Sequence, residues 1–156
     1  MVSTSNIVVR EARFEDIPDL LALMMGLADF EGYIDEFKVT QKDLIENGFG
    51  EKALFKAFVG HQKNTENLTA MAVTYMIPWT YDLRPTLVLK ELFVSKPGRG
   101  HGLGTALMEQ VKRHAMSIGA QRIQWTVLSG NNNAEKFYKT IGAEQDRIWL
   151  PWKLNL

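Results

Sequence analysis

The sequence predicts an α/β (α+β) fold in which a mixed central sheet carries helices on both faces. Two observations predict it. In the second half of the chain, a strand-like run, an amphipathic helical run and another strand-like run follow one another, an order that joins parallel strands. In the first half, apolar runs flank short polar segments, as in antiparallel hairpins. The chain has 156 residues, so we expect residues 1–156 to form a single domain.

The chain is predicted to begin with a strand and a helix. The run 7–10 is rich in β-branched residues and is typical of a strand. Apolar residues then recur at helical spacing from Ile17 to Leu27, and Pro18 fits the first turn of that helix.

A second helix and a hairpin are predicted next. Thr40 and Asp43 have the spacing of a capping box, which predicts a helix start, and Gly48 is a residue that can end this helix. The apolar runs 54–60 and 69–77 flank a polar segment, so we expect them to pair as neighbouring strands.

The second half is predicted to alternate strands and helices. The richest run of β-formers, 87–94, precedes an amphipathic helix that Gly119 ends. A strand at 123–128, a short helix at 134–141 and a last strand at 148–154 complete the chain.

The composition narrows the classes of function and partner. Lys and Arg total 18, as do Asp and Glu, so the formal charge is zero and we expect no nucleic-acid or membrane partner. The chain has no cysteine, which excludes disulfides, thiolate zinc sites and a cysteine nucleophile. Its three histidines lack metal-ligand spacing, so no metal is expected. With no secretory signal and no apolar run of about 20 residues, we expect a cytoplasmic protein.

A glycine-rich segment opens the helix after the strongest strand. Four glycines lie between Gly98 and Gly104, and glycine lets backbone N–H groups converge without Cβ clashes. A helix N-terminus adds free N–H groups and partial positive charge, so the segment can form a nest for a diphosphate, flanked by Lys96 and Arg99. The spacing fits neither the P-loop nor the dinucleotide fingerprint. A plain glycine-rich turn that caps the helix is the alternative.

Two motifs in this region give the sequence a family resemblance. The segment 99–104 resembles the R/Q-x-x-G-x-G/A motif of the GNAT superfamily of N-acetyltransferases, and the segment 131–143 resembles its N-x-x-A-x-x-[LF]-Y-x-x-x-G motif. A weaker match covers 9–16. The segments 27–31, 40–51 and 80–82 are similar to the branch that acetylates diamines and thialysine. The resemblance spans nearly the whole chain and implies a GNAT-like fold.

The resemblance also implies where acetyl-CoA binds. Two parallel strands, here 87–94 and 123–128, splay apart in this family, and the coenzyme lies in the cleft between them. The residues implied to bind the coenzyme are Phe93, Val94, Arg99, Gly100, His101, Gly102, Leu103, Gly104, Asn131 and Lys139.

The catalytic residues implied are Tyr138 and Glu91. Tyr138 occupies the family's general-acid position, where a phenol can protonate the leaving thiolate; a core aromatic is the alternative. Glu91 is a charged residue within an apolar strand. It can accept the amine proton through water, bind the ammonium, or face solvent at a strand edge. The diamine branch has an acidic pair at positions 90 and 91, whereas this chain has Lys90.

Acidic residues predict a cationic acceptor. Glu31 follows the first helix, and the Tyr81-Asp82 pair lies in the segment shared with the diamine branch, so these three residues are expected to bind the substrate. The leading hypothesis is acetyl transfer from acetyl-CoA to a small primary amine such as a polyamine, diamine or lysine analogue. The alternatives are an acyltransferase for a protein N-terminus, lysine or antibiotic, and a non-catalytic acyl-CoA-binding regulator. A homodimer is expected by analogy with relatives.

Overall fold

The computed structural model describes residues 6–156 as two compact units, which divide between Thr126 and Val127. The first unit contains five strands and three helices. The strands are β1 Ile7–Glu11, β2 Lys56–Gln62, β3 Ala70–Ile77, β4 Thr86–Val94 and β5 Arg122–Gln124. The helices are α1 Ile17–Glu31, α2 Gln41–Gly48 and α3 Leu103–Ser117. Within residues 6–156, no helix is both long and apolar enough to cross a bilayer.

The five strands form one mixed sheet in the order β1-β2-β3-β4-β5. The pairs β1–β2, β2–β3 and β3–β4 are antiparallel, and a short polar segment joins β2 to β3 as expected, whereas α1 and α2 lie between β1 and β2 in the sequence. The pair β4–β5 is parallel, and α3 lies between the two strands in the sequence. The predicted mixed sheet and its parallel crossover are therefore confirmed.

The parallel ladder is short, and β4 carries an irregularity beyond its end. Thr86–Val88 pairs with Arg122–Gln124, and the remainder of β4 has only β3 as a strand neighbour within the described chain. The strand predicted at 123–128 is thus observed only as β5. Lys90 is the extra residue of a β-bulge, since Leu89 opposes Thr74 while Glu91 opposes Val73. A bulge changes the direction in which the following side chains point.

Helices cover both faces of the sheet, as predicted. Val59 and Met71 belong to the core cluster formed with α1 and α2. On the other face, the ring of Phe58 contacts the His114 ring of α3, with centroids 5.6 Å apart. Gly60 also faces α3, because a Cβ at this position would lie 2.9 Å from Leu103 Cδ2. The sheet is therefore buried between two helical layers.

The ends of α1 and α2 are set by local sequence. Thr40 Oγ1 accepts a hydrogen bond from Asp43 N at 3.2 Å, and the Asp43 carboxylate accepts one from Thr40 N at 2.8 Å, so the predicted capping box is confirmed. At the end of α1, Gly32 has φ +85°, a left-handed conformation that favours glycine. Glu31, which was expected to follow the first helix, is therefore its last residue.

A charged pair fixes the entry into α1. Both Asp16 oxygens accept hydrogen bonds from Arg10, at 2.6 and 3.0 Å, and Asp16 also accepts one from Arg13 N at 2.7 Å. Only 11% of the Asp16 side chain is exposed. The hydrogen bonds from Arg10 are the main cause of a lowered Asp16 pKa, which burial partly opposes. Asp16 therefore joins β1 to the start of α1.

We expect Asp16→Asn to lower the free energy of unfolding at pH 7 by about 2 kcal/mol, because it weakens charge-assisted hydrogen bonds. A carboxylate with a lowered folded pKa stabilises the fold above its unfolded pKa of about 3.9, and that stability is lost as the pH falls further. Urea unfolding at pH 7 and pH 3.5 should thus show a difference that shrinks in acid. Asp19→Asn, on the exposed side of α1, is the matched control. An equal loss at both pH values would contradict this role.

The second unit contains the helix α4, Asn132–Thr140, close to the predicted 134–141. Gly142 follows with φ +86°, and Ala143 N donates a hydrogen bond to Tyr138 O at 3.0 Å, which ends the helix.

The strand predicted at 148–154 is wrong, since the structure assigns no strand to these residues. Two local features explain the difference. Pro151 has no N–H to donate to a ladder. Upstream, Asp146 Oδ1 accepts hydrogen bonds from Ile148 N and Trp149 N, which makes a local turn instead of an extended backbone.

Candidate active site

The glycine-rich segment after β4 forms a loop with an unusual backbone. Gly100 and Gly102 have φ of +80° and +82°, in the left-handed region, and Gly102 is the N-cap of α3. A Cβ built at either residue meets no atom within 4 Å, so the space beside the backbone is open. Gly98, in contrast, packs on Thr69, whose Oγ1 would lie 2.7 Å from a Cβ at this position. The loop is therefore anchored at Gly98 and open beyond it.

The N–H groups of this loop are available to a ligand. Gly98 N and Arg99 N donate to Ser95 O and Lys96 O within a 3-10 turn. In the part of the chain described, the N–H groups of Gly100, His101 and Gly102 make no hydrogen bond. Those of Leu103 and Gly104 belong to the first turn of α3, where N–H groups have no intrahelical partner. This arrangement fits an anion such as a diphosphate.

Arg99 is held by two contacts that leave its charge uncompensated. Its Nε donates a hydrogen bond to Val94 O at 3.1 Å, across the turn that joins β4 to the loop. Its Cζ lies 5.7 Å from the centroid of the Phe30 ring, at the end of α1. No carboxylate of residues 6–156 forms an ion pair with Arg99. The guanidinium therefore remains able to bind an anion.

The end of β4 packs closely on α1. A Cβ at Gly26 would lie 2.9 Å from Phe93 Cε1, so the missing side chain at this helical position makes room for the Phe93 ring. Phe93 and Val94 are both half-buried, on the part of β4 that lies beyond the β5 ladder. The two residues predicted to contact the coenzyme arm thus lie where β4 has a free edge within the described chain.

Glu91 interacts electrostatically with Glu31, the last residue of α1, and with Tyr33, which follows it closely. Its Oε2 is enclosed and has no hydrogen-bond partner among residues 6–156. Burial raises the Glu91 pKa, Lys90 opposes that change, and the charge of Glu31 adds to it. Burial also raises the pKa of Tyr33, with further contributions from Glu91 and Glu31. Glu31, Tyr33 and Glu91 thus interact electrostatically, and we call these three residues the Glu91 cluster.

Tyr81 and Asp82 lie in a separate loop between β3 and β4. The Tyr81 ring is 86% exposed, and its hydroxyl is hydrogen-bonded to Gln121 Nε2. Asp82 accepts hydrogen bonds from Thr80 Oγ1 at 2.9 Å and Arg84 Nε at 2.7 Å. The Asp82 charge is thus paired within its own loop.

The second unit carries three of the predicted site residues. Asn131 is the N-cap of α4, and its Oδ1 accepts a hydrogen bond from Ala134 N at 3.2 Å. Tyr138 is half-buried and its ring lies against Phe137, with centroids 5.4 Å apart. Lys139 is exposed in the last turn of α4. The motif residues of this unit are therefore carried on and around one short helix.

The structure adds residues that the sequence reasoning did not assign to the site. Phe30 contacts Arg99, and Gly26 makes room for Phe93. The signal available for Phe30 was its place one residue before the predicted Glu31. For Gly26, the signal was a glycine inside an otherwise regular helical pattern, which costs stability unless close packing requires it.

The sequence of the chain also matches a known protein family. The sequence model of the Acetyltransferase (GNAT) family matches residues 22–143, and the chain belongs to that family. It is therefore an acyl-CoA-dependent N-acetyltransferase, and members of the family use acetyl-CoA as co-substrate.

Relatives of known name and structure agree with this assignment. The chain is 27% identical to thialysine N-epsilon-acetyltransferase of Mus musculus, over 94% of this chain and 91% of the relative. It is 25% identical to spermidine/spermine N(1)-acetyltransferase-like protein 1 of Homo sapiens, over 94% of this chain and 22% of that protein. An integron cassette protein from the mobile metagenome of V. cholerae has the same fold, with a TM-score of 0.77, 25% identity and coverage of 96% and 93%.

Proposed function

We propose that the protein transfers the acetyl group of acetyl-CoA directly to a small, cationic primary amine, such as a polyamine, diamine or lysine analogue. The observation that carries the proposal is the Glu91 cluster, in which an enclosed oxygen of Glu91 has no hydrogen-bond partner among residues 6–156 and the charge of Glu31 acts on the same carboxyl group. A buried carboxylate oxygen without a hydrogen-bond partner lowers the stability of the fold, so its presence indicates a group that binds a ligand or transfers a proton. One relative is named a thialysine N-epsilon-acetyltransferase and the other a spermidine/spermine N(1)-acetyltransferase-like protein. Both names support an acceptor of this class.

The loop after β4 is proposed to hold the coenzyme. The free N–H groups of Gly100, His101 and Gly102, with those that open α3 at Leu103 and Gly104, suit the diphosphate. Arg99 adds a positive charge at the same loop.

Further coenzyme contacts are proposed on both units. Phe93 and Val94 offer backbone groups at the free edge of β4, and Asn131 and Lys139 contribute from α4. When bound, acetyl-CoA supplies the acetyl group as a reactive thioester.

The chain supplies the proton transfers. An alkylamine has a pKa near about 10 and must lose a proton before it can attack. Glu91 is proposed to accept this proton, directly or through water, while Glu31 attracts the cationic acceptor. Tyr138 is proposed to donate a proton to the thiolate that leaves. Tyr81 and Asp82 remain predicted acceptor residues, but the pairing of Asp82 with Arg84 makes Glu31 and Glu91 the stronger candidates.

An acceptor panel tests this proposal. Release of the coenzyme thiol is measured with thialysine, spermidine, a lysine peptide, a peptide with a free N-terminus and an aminoglycoside. We expect the small cationic amines to have the highest kcat/KM. Preference for either peptide or the aminoglycoside would favour the alternative acyltransferases. Binding of acetyl-CoA without transfer to any amine would overturn the proposal.

Replacement of Tyr138 by phenylalanine is expected to lower kcat by about 100-fold, because it removes a general acid. The Kd for coenzyme A, measured by calorimetry, should stay within about twofold, since the ring remains. Tyr75→Phe, which removes a hydroxyl from β3, is the matched control. Equal turnover of the Tyr138 and Tyr75 variants would remove Tyr138 from the mechanism.

A homodimer in the cytoplasm is the remaining part of the proposal. Support for self-association comes from the last nine residues, where Trp149 and Trp152 are 80% and 96% exposed and several aliphatic side chains are also exposed. The absence of cysteine fits a reducing compartment. Sedimentation equilibrium should give twice the 17.7 kDa chain mass, and a monomer at micromolar concentration would contradict a dimer.

A further inference from the structure

Phe30 is a large aromatic residue whose packing does not explain its position. It lies in the last turn of α1, and 58% of its surface is exposed. The buried residues of α1 are Ile17, Leu20, Leu23, Met24, Leu27 and Ala28, on the face toward the sheet. Phe30 is not one of these core residues, and its ring contacts the guanidinium of Arg99.

An aromatic ring can orient a guanidinium without neutralising its charge. A carboxylate in the same place would form an ion pair and compete with an incoming anion, whereas the face of a ring attracts the cation through its quadrupole. The carbonyl of Val94 acts in the same way, because it accepts a hydrogen bond from Nε and carries no net charge. The terminal nitrogens Nη1 and Nη2 therefore remain as donors on a cation whose orientation is fixed from two sides.

We propose that Phe30 is a positioning residue for the coenzyme diphosphate, acting through Arg99. The inference rests on the proposed function, because it requires that the loop 99–104 bind acetyl-CoA. In this role Phe30 orients the guanidinium of Arg99, the residue that opens the loop with the free N–H groups of Gly100 and Gly102, so that both kinds of donor serve one anion.

This contact also gives the last turn of α1 a proposed role toward both substrates. Phe30 contacts the coenzyme loop, and its neighbour Glu31 belongs to the Glu91 cluster, where the amine is proposed to bind. The end of α1 thus has one residue for each substrate, and the left-handed Gly32 ends the helix immediately afterwards.

The test compares two acetyl donors that differ in the diphosphate. Acetyl-CoA carries it, while S-acetylpantetheine has the same thioester and arm without it. An exposed cation–π contact is worth about 0.5–1 kcal/mol, so Phe30→Leu should raise KM for acetyl-CoA by about 2- to 5-fold. KM for S-acetylpantetheine and kcat with either donor should not change. Phe30→Trp, which restores an aromatic face, should keep the wild-type KM.

A double-mutant cycle separates positioning from packing. In an Arg99→Ala background, Phe30→Leu should have no further effect on KM for acetyl-CoA, because its partner is absent. If Phe30→Leu raises KM equally for both donors, or still acts without Arg99, the ring serves packing and the proposal is overturned. A wild-type KM in the Phe30→Leu variant would overturn it as well.

Failure of the proposed function gives a different result. If the wild-type protein binds coenzyme A but acetylates no amine, the function is wrong, and calorimetric Kd values of the Phe30 variants for coenzyme A and pantetheine still test the positioning role. If the wild-type protein binds no coenzyme A, both proposals are overturned.

Discussion

Replacement of Gly102 by glutamate is expected to weaken coenzyme A binding by at least about 100-fold, which corresponds to roughly 2.8 kcal/mol. Gly102 has φ +82°, where a residue with a Cβ is strained by about 1–2 kcal/mol. The new side chain would enter the open space beside the free N–H groups of the loop. Its negative charge would then occupy or repel the place of the diphosphate.

Two control variants separate charge from backbone strain. Gly102→Gln has the same size and strain without the charge, so it should weaken binding less than Gly102→Glu. Gly119→Glu places the same charge at φ +71°, beyond the end of α3, where open space also surrounds the Cβ. This variant should bind coenzyme A normally. Calorimetry gives the Kd values, and thermal melts confirm folding. Normal binding by Gly102→Glu would reject the assignment of the loop.

Features encoded within a few residues could be predicted from the sequence. The capping box of Thr40 and Asp43 and the glycine-rich opening of α3 depend on neighbouring residues, and both were located correctly. The pairing of β2 with β3 and the parallel crossover from β4 to β5 also followed, because a short connection favours antiparallel neighbours and a connection through α3 allows a parallel pair. The length of β5 could not be predicted, because it depends on how far the parallel ladder with β4 extends, and the sequence does not show where that ladder ends.

Side-chain contacts between distant segments could not be predicted. The Glu91 cluster combines Glu91 of β4 with Glu31 and Tyr33 at the end of α1, about 60 positions away, and the contact of Phe30 with Arg99 spans a similar separation. The bulge at Lys90 depends on a register shift against β3, which apolar alternation does not reveal. The apolar alternation at 148–154 predicted a strand that the structure does not have. The turn around Asp146 and the missing N–H of Pro151 explain this difference.

Glu91→Gln is expected to lower kcat/KM by roughly 100-fold or more, because it removes a proton acceptor and keeps the side-chain shape. The carboxyl is enclosed, and burial raises its pKa, with Lys90 opposing and Glu31 adding to the change. The wild-type rate should therefore fall on the acid side at a higher pH than an ordinary glutamate would give. The variant should lack this acid limb. A fall in kcat at constant KM for the amine indicates a base, while a rise in KM indicates an ammonium-binding site.

Stability should change in the opposite direction to activity. A carboxyl whose pKa is higher in the folded state stabilises the fold at low pH, and this contribution is lost as the pH rises through the folded pKa. The melting temperature of Glu91→Gln should therefore exceed that of the wild type by an amount that grows as the pH rises above the unfolded value of about 4.3 and levels off above the folded pKa, at about 2–4 °C for each kcal/mol in a chain of this size. Glu36→Gln, an exposed acid in the segment after α1, should change neither quantity.

The expected loss of activity and the expected gain of stability have one cause. The ionised Glu91 carboxylate destabilises the folded state, but it is needed to accept the proton of the amine. If the variant gains stability with alkaline pH but keeps wild-type kcat and pH profile, the buried charge has no catalytic role, and the amine must lose its proton to another group. If it loses activity without the pH-dependent gain, Glu91 acts by orienting the acceptor, because its charge then costs the folded state nothing.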